Sequence, residues 1–210
     1  MRHLAEAWLR TAARLGARDD VAGAGADLLS RYADPRRGYH NLTHLDDVLR
    51  NVDELAEHAD DPDLVRLAAW FHDAVYEPAA SDNEDRSAAL AETVLRRLRM
   101  GQPVIEEVGR LVRSTRDHDP ASDDSNGAVL SDADLAILAS NIERYAEYTS
   151  GVRREYADVS DADFARGRIA VLRRLLDRPA LFRTPSAHAS WETTARANVA
   201  AEIERLTSDT

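Results

Sequence analysis

The chain has 210 residues, a formal net charge of −11 and no cysteine. That length can bury a substantial core. The acidic balance argues against sequence-independent binding of a nucleic-acid polymer, which needs clustered positive charge, and the missing thiols exclude disulfides, thiolate metal sites and a cysteine nucleophile. All 27 cationic side chains are arginine, a compositional bias that carries little functional weight although the planar guanidinium suits phosphate.

No Pro/Gly/Ser-rich linker divides the chain and no repeat at a fixed period is visible, so one domain over residues 1–210 is expected. The opening Met1–Trp8 run lacks an apolar core of signal-peptide length. No stretch approaches the roughly 18 apolar residues of a membrane span. A cytoplasmic location away from membranes is the expectation.

The hydrophobic pattern is helical throughout. Leu4, Trp8, Ala12 and Leu15 share a face of a helix over 3–15, and a second helix over 21–33 closes at Asp34-Pro35. Asn41 is a candidate N-cap for a helix carrying Leu45, Val48, Leu49, Val52 and Leu55. Asp61-Pro62 opens the next, with Leu64, Leu67, Ala68, Phe71 and Val75 on its buried stripe. Further helices are expected over 83–99 and 103–114. After a solvated loop from Thr115 to Ala128 come helices over 131–149, from 152 or 160 to 177, and over 186–207. The fold class is all-α, with a motif core at about 35–140 and C-terminal helices packing on it. Trp8, Trp70 and Trp191 read as core residues, and His3, His58 and His188 as surface histidines.

Three of the seven histidines fall in two short runs, Tyr39-His40-Asn41-Leu42-Thr43-His44 and Phe71-His72-Asp73. His72 and Asp73 continue the apolar helix that opens at Pro62 and lie close to its buried stripe. An unpaired carboxylate there costs several kcal/mol, roughly, so something must pair with it. A metal ion is the cheapest partner. His40 and His44, four apart at a helix start, can face the same site. A further carboxylate is needed to balance a divalent ion. Asp134 shares a face with Leu130, Ile137 and Leu138 and points inward without a structural reason. Asp132, explained by a helix dipole if Ser131 caps the helix, is the alternative ligand.

The order His44, His72-Asp73, Asp134 resembles the metal signature of the HD-domain superfamily of metal-dependent phosphohydrolases, an all-helical fold. Tyr39-His40-Asn41-x-x-His44 with Asp47-Val48 also resembles a segment of the class I cyclic-nucleotide phosphodiesterases, which share that core. The chain is similar, more closely, to a group of uncharacterised bacterial proteins described as predicted HD-superfamily phosphohydrolases. The shared motifs are His40/His44, Phe71 to Tyr76, Asp82-Asn83-Glu84-x-x-Ser87-Ala88, Thr115-x-x-His118, and Asp132 to Leu138.

The resemblance implies one tightly held divalent ion (Mn, Mg, Zn, Ni, Co or Fe) on His44, His72, Asp73 and Asp134. It implies that His40 protonates the leaving oxygen, a task suited to an imidazole pKa near 6.5. Glu77 and Glu84 are further acidic candidates. Some HD nucleotidases carry an acid three positions after the HD aspartate, where this chain has Tyr76 with Glu77 one later. Arg37, Arg86 and Arg116 are candidate phosphate clamps, and His118 is placed on the substrate or a second metal. The expected function is hydrolysis of a small phosphorylated substrate, with a nucleotide the leading class and a homodimer allowed. Its rivals are a nucleotide- or metal-sensing module without turnover, and a di-iron oxygenase, which would need more histidine ligands.

Overall fold

The computed structural model describes residues 1–78 and 80–208. It is all-helical, with ten α-helices, two 3₁₀ turns and no strand among the described residues. The helices are α1 (Arg2–Arg14), α2 (Val21–Tyr32), α3 (Leu42–Glu54), α4 (Pro62–Phe71), α5 (Asn83–Arg97), α6 (Gln102–Ser114), α7 (Ser125–Leu135), α8 (Ile142–Glu155), α9 (Asp161–Leu176) and α10 (Pro185–Ser208). None is long and apolar enough to cross a membrane.

Helix α4 is the central strut. Leu67 through Phe71 are all buried, and α1, α3, α5, α6 and α7 all pack on it. A helix apolar all round has to be buried on every side. Trp8 and Trp70 are core residues that meet edge to face with ring centroids 5.5 Å apart, and Trp191 packs at the margin of the core. Asn41 caps α3 by accepting from the N–H groups of Thr43 and His44, which places His44 in the first turn. Asp61 caps α4, with Pro62 at its first position.

Two boundaries differ from expectation, and both matter for the site. Helix α4 ends at Phe71, so His72 and Asp73 lie just beyond its C-terminus rather than in mid-helix. Other parts of the chain take over the freed backbone groups: Tyr32 Oη bonds the Asp73 N–H, Ser87 Oγ bonds both the N–H and the carbonyl of Val75, and the Arg37 guanidinium donates to the carbonyls of Asp73 and Ala74. Local pattern does not encode that ending, because tertiary partners supply it.

The second difference is α7. It begins at Ser125 under an Asp124 cap, inside the stretch that reads as a loop. Its polar residues find partners elsewhere: Asn126 bonds Asp61 and Glu107, and Ser131 donates to the His118 carbonyl rather than capping a helix. The expected single helix over 131–149 is instead the end of α7, a 3₁₀ turn at Ala136–Ala139 and a separate α8 capped by Asn141. Asp132 and Asp134 therefore sit in the last turn of α7, and a first-turn dipole cannot account for Asp132.

Asp132 is fully buried and has a different task. Its carboxylate accepts the N–H groups of Arg183 and Thr184 and the Thr184 hydroxyl, immediately ahead of α10. Burial pushes this carboxyl up, against the pull of those donors. With its oxygens committed to this turn, Asp132 is withdrawn as the alternative ligand. Replacing it leaves buried donors unmet, so Asp132→Ala is expected to lower the unfolding free energy by about 3 kcal/mol in denaturant melts. Asp132→Asn, which keeps one acceptor oxygen for the Thr184 turn, is expected to hold metal as the parent does, and loss of metal there would return Asp132 to the ligand set.

Candidate metal centre

His44 from the first turn of α3, His72 from the end of α4 and Asp134 from the last turn of α7 converge. One donor atom from each lies within 4.8 Å of the others. The two imidazoles are 2% and 1% exposed. Their Nε2 atoms face one another at 3.0 Å. Asp134 Oδ1 is 3.3 Å from His44 Nε2 and 3.7 Å from His72 Nε2. Asp73 Oδ2 is 3.3 and 3.1 Å from the same two nitrogens, although Asp73 falls outside the mutually close set of three.

These spacings test the fit to a metal. Donors around a four-coordinate ion with bonds of about 2.0–2.2 Å are separated by about 3.4 Å, in the middle of the observed range. The outer nitrogens are also occupied in the manner of metal-binding histidines. His72 Nδ1 lies 2.8 Å from the Ala69 carbonyl. A carbonyl only accepts, so that nitrogen carries a proton, and Nε2 is the atom that faces the site and would ligate a metal ion. His44 Nδ1 lies 3.1 Å from Tyr39 Oη. The two Nε2 atoms stand at hydrogen-bond distance, so a proton on one of them, or a metal ion in its place, can lie between them. The residues can hold a metal ion.

The local field agrees. Burial disfavours a charged His72, yet the carboxylates of Asp73 and Asp134 override it and hold the imidazole up at about 9. Asp73 shows the converse: burial works to protonate it, and the His72 and His40 rings hold it well below the usual carboxylate range. Two carboxylates and two imidazoles thus create a potential that attracts positive charge.

His40 stands outside the ligand cluster on the wall of the same cleft. Its Nδ1 is 2.8 Å from Glu155 Oε2, and Glu155 Oε1 accepts the N–H groups of Tyr39 and His40. Tyr76 donates its hydroxyl to the same carboxylate at 3.0 Å. The Glu155 side chain is fully buried. Burial disfavours a charged His40, but Asp73 and Glu155 raise its pKa above the ordinary histidine value. Burial likewise opposes the Glu155 charge, and the His40 contact holds that carboxyl below its ordinary value. This ion pair depends on close backbone approach: a Cβ on Gly151 of α8 would come within 2.8 Å of the Gly38 carbonyl oxygen, and a Cβ on Gly38 would overlap the Gly151 oxygen.

Glu155 is absent from the motif-based residue set. It follows Tyr148 and Val152 at helical spacing, and these are buried residues of α8. A carboxylate continuing an apolar stripe is the same signal that singles out Asp134.

The other expected site residues divide. His118 reaches the cleft, with Nε2 3.6 Å from Asp134 Oδ2, the oxygen not turned toward His44. Its backbone is left-handed, with φ +48°, and Nδ1 is buried without a hydrogen-bond partner among the described residues. Burial lowers its pKa, with Asp134 opposing and Arg178 assisting. Glu84 and Arg116 line the cleft, and Arg116 pairs with Asp85 at 2.6 Å and Glu84 at 3.5 Å. Three do not match their expected roles. Arg37 serves the fold, donating to the carbonyls of His40, Asp73 and Ala74 and lying over the rings of Tyr32 and Tyr76. Arg86 pairs with Asp82 at 3.7 Å away from the cleft lining. Glu77 is exposed and also outside the lining, because the turn after Tyr76 is pinned through its backbone to Asn83.

In comparisons with protein-family models, curated proteins and solved structures, the chain matches none.

The cluster yields a direct expectation. His44→Ala and Asp134→Ala are expected to lose the metal by elemental analysis of purified protein, whereas His40→Ala is expected to retain it. An empty site in His40→Ala would place that ring among the ligands.

Proposed function

We propose that this protein is a metal-dependent phosphohydrolase of the HD type acting on a small phosphoester, with nucleotides the leading substrate class. The observation that carries the reading is the junction of two features in one cleft. A buried His44/His72/Asp134 cluster flanked by Asp73 lies beside a separate imidazole, His40, held by an anionic partner. The cleft, of about 630 Å³, falls in the size range of small-molecule sites.

In this reading His44, His72, Asp73 and Asp134 hold one divalent ion. The ion supplies Lewis-acid charge to a phosphoryl group and a nucleophile at neutral pH. His40 then acts as the general acid. Its Nδ1 is anchored on Glu155, which orients the ring and stabilises its protonated form, and Nε2 is left to deliver a proton to the departing oxygen. Tyr39 orients His44 through its hydroxyl and packs edge to face on His40 at 4.9 Å, so one side chain fixes both a ligand and the acid. Arg116, Arg174 and Arg178 line the cleft and offset the charge of an incoming phosphate. The chain's overall acidity does not oppose this, because a small anion responds to the local field rather than to net charge.

The decisive assay loads purified protein with manganese, cobalt, nickel, magnesium or zinc and supplies generic phosphoesters and a nucleotide panel. Turnover with at least one metal is expected. Its absence in protein verified to hold metal would overturn hydrolysis and favour a module that binds its ligand without reacting it.

The His40 role gives a signed pH prediction. Against burial, Asp73 and Glu155 both raise its folded pKa; with Asp73 committed to the ion, the Glu155 contact is the part that remains, and the acid form is lost as pH rises through the value it sets. kcat is expected to fall on an alkaline limb set by His40. Glu155→Gln removes the anionic partner and should move that limb to lower pH, and His40→Ala should lower kcat about 10²–10⁴-fold with metal retained. An alkaline limb that stays in place in Glu155→Gln would remove His40 from the proton-donating role.

A further inference from the structure

The metal end of the cleft accounts for only part of its lining. Another wall is built from the later turns of α8, the 156–160 connector and one face of α9. On α9, Phe164, Gly167, Arg168 and Val171 follow the spacing of a single helical face, and all four line the cleft. Val171 is 40% exposed, one of only four large apolar side chains so placed among the described residues. Tyr39, Tyr76, Tyr148 and Tyr156 line the same cleft, four of the six tyrosines in the chain. Aromatic side chains are scarce here, at 6% of residues, and they concentrate around this cavity.

Gly167 has no role in the fold. It lies inside α9, where glycine weakens a helix relative to alanine. Its φ is not in the left-handed region, so the backbone does not require it. A Cβ added there would meet no atom within 4 Å, so packing does not require it either. Gly38 and Gly151 show the contrast, since a Cβ on either would collide with the other's backbone. What the missing side chain at Gly167 leaves is a bare strip of helix facing the cleft, between Phe164 and Val171. A flat ring can lie against such a strip while aromatic side chains meet its faces and edges.

We infer that the α8–α9 wall binds a flat aromatic ring system carried by the leaving group of the substrate, with Gly167 as its specificity-determining position. The phosphoester part of that ligand rests on the phosphohydrolase reading, whereas the ring site stands on geometry independent of turnover. Nucleoside phosphates and aryl phosphates share the required chemistry: a phosphate for the metal end and a ring for this wall. A phosphoester of a short alkyl alcohol would leave the wall unused.

The test measures binding of ring-bearing products without turnover. Full-length protein and its Gly167→Ala and Gly167→Leu variants are titrated by calorimetry with a nucleoside panel, with 4-nitrophenol and 1-naphthol as aryl products, and with glycerol as the non-aromatic control. The parent protein is expected to bind at least one ring-bearing product and not glycerol. Gly167→Leu is expected to weaken that binding at least about tenfold, a change of about 1.4 kcal/mol, and Gly167→Ala to weaken it less. The Tm of both variants is expected to equal or exceed the parent's, since alanine and leucine are better helix formers.

Binding of nucleosides but not aryl alcohols supports the proposal and assigns a nucleoside source, and the reverse supports it and assigns an aryl source. No ring-product binding by the parent protein, or equal affinity in parent and Gly167→Leu, overturns it. The two readings fail separately. Ring binding that responds to Gly167→Leu in a protein that hydrolyses nothing leaves the ring site standing without the hydrolase. Equal turnover of alkyl and aromatic phosphoesters, with KM unchanged in Gly167→Leu, leaves the hydrolase standing without the ring site.

Discussion

The centre of this molecule is a cluster of imidazoles and carboxylates that favours positive charge, as a proton or a metal ion. Two nearly inaccessible imidazoles direct their Nε2 atoms at each other across 3.0 Å, with carboxylates of Asp73 and Asp134 at 3.1–3.7 Å. Buried carboxylates in such surroundings need a positive partner. A proton on the imidazoles, or a metal ion in its place, meets that need. The ends of three helices meet at this point, and the rest of the structure fixes where those ends fall.

Each end is fixed by a different device. Asn41 caps α3 and so sets the position of His44. Arg37, Tyr32 and Ser87 satisfy the backbone beyond α4 and so allow the chain to leave the helix at His72. Asp132 ties the last turn of α7 to the start of α10 two residues before Asp134. Glu155 adds a fourth brace from α8, tying together the Tyr39 and His40 backbones, the His40 ring and the Tyr76 hydroxyl. Most of these supports are polar groups working on backbone N–H and C=O, where a shift of even part of an ångström would spoil ligand spacing. Burial of the Leu67–Phe71 end of α4 supplies the rigidity they share.

Much of this is legible from residues alone, and the gaps have physical causes. The helical class, the Asn41 cap and the Asp61-Pro62 start follow from periodicity and capping chemistry. The cost of a buried carboxylate marks His72-Asp73 and Asp134 as a site, whereas the choice of His44 over His40 comes from the resemblance in motif order. The end of α4 is not legible, because Arg37 lies 36 residues from Asp73 and no local signal stops the helix. Helix α7 is concealed for a related reason: Asn126 and Ser131 suggest a loop until their partners Asp61, Glu107 and the His118 carbonyl are seen. Asp132 and Asp134 differ by only two positions in sequence, yet one serves α10 and the other joins His44 and His72. Arg37, a clamp candidate by its neighbourhood, is a structural donor for the same reason that α4 can end where it does.

The most direct test of the account is X-ray absorption at the metal edge of protein loaded with zinc or manganese. The account predicts a shell of nitrogen and oxygen donors at about 2.0–2.2 Å with the outer-shell scattering of two imidazoles, and loss of the metal signal in His72→Ala, as in His44→Ala. A bound metal without imidazole scattering, or a spectrum unchanged by His72→Ala, would contradict it.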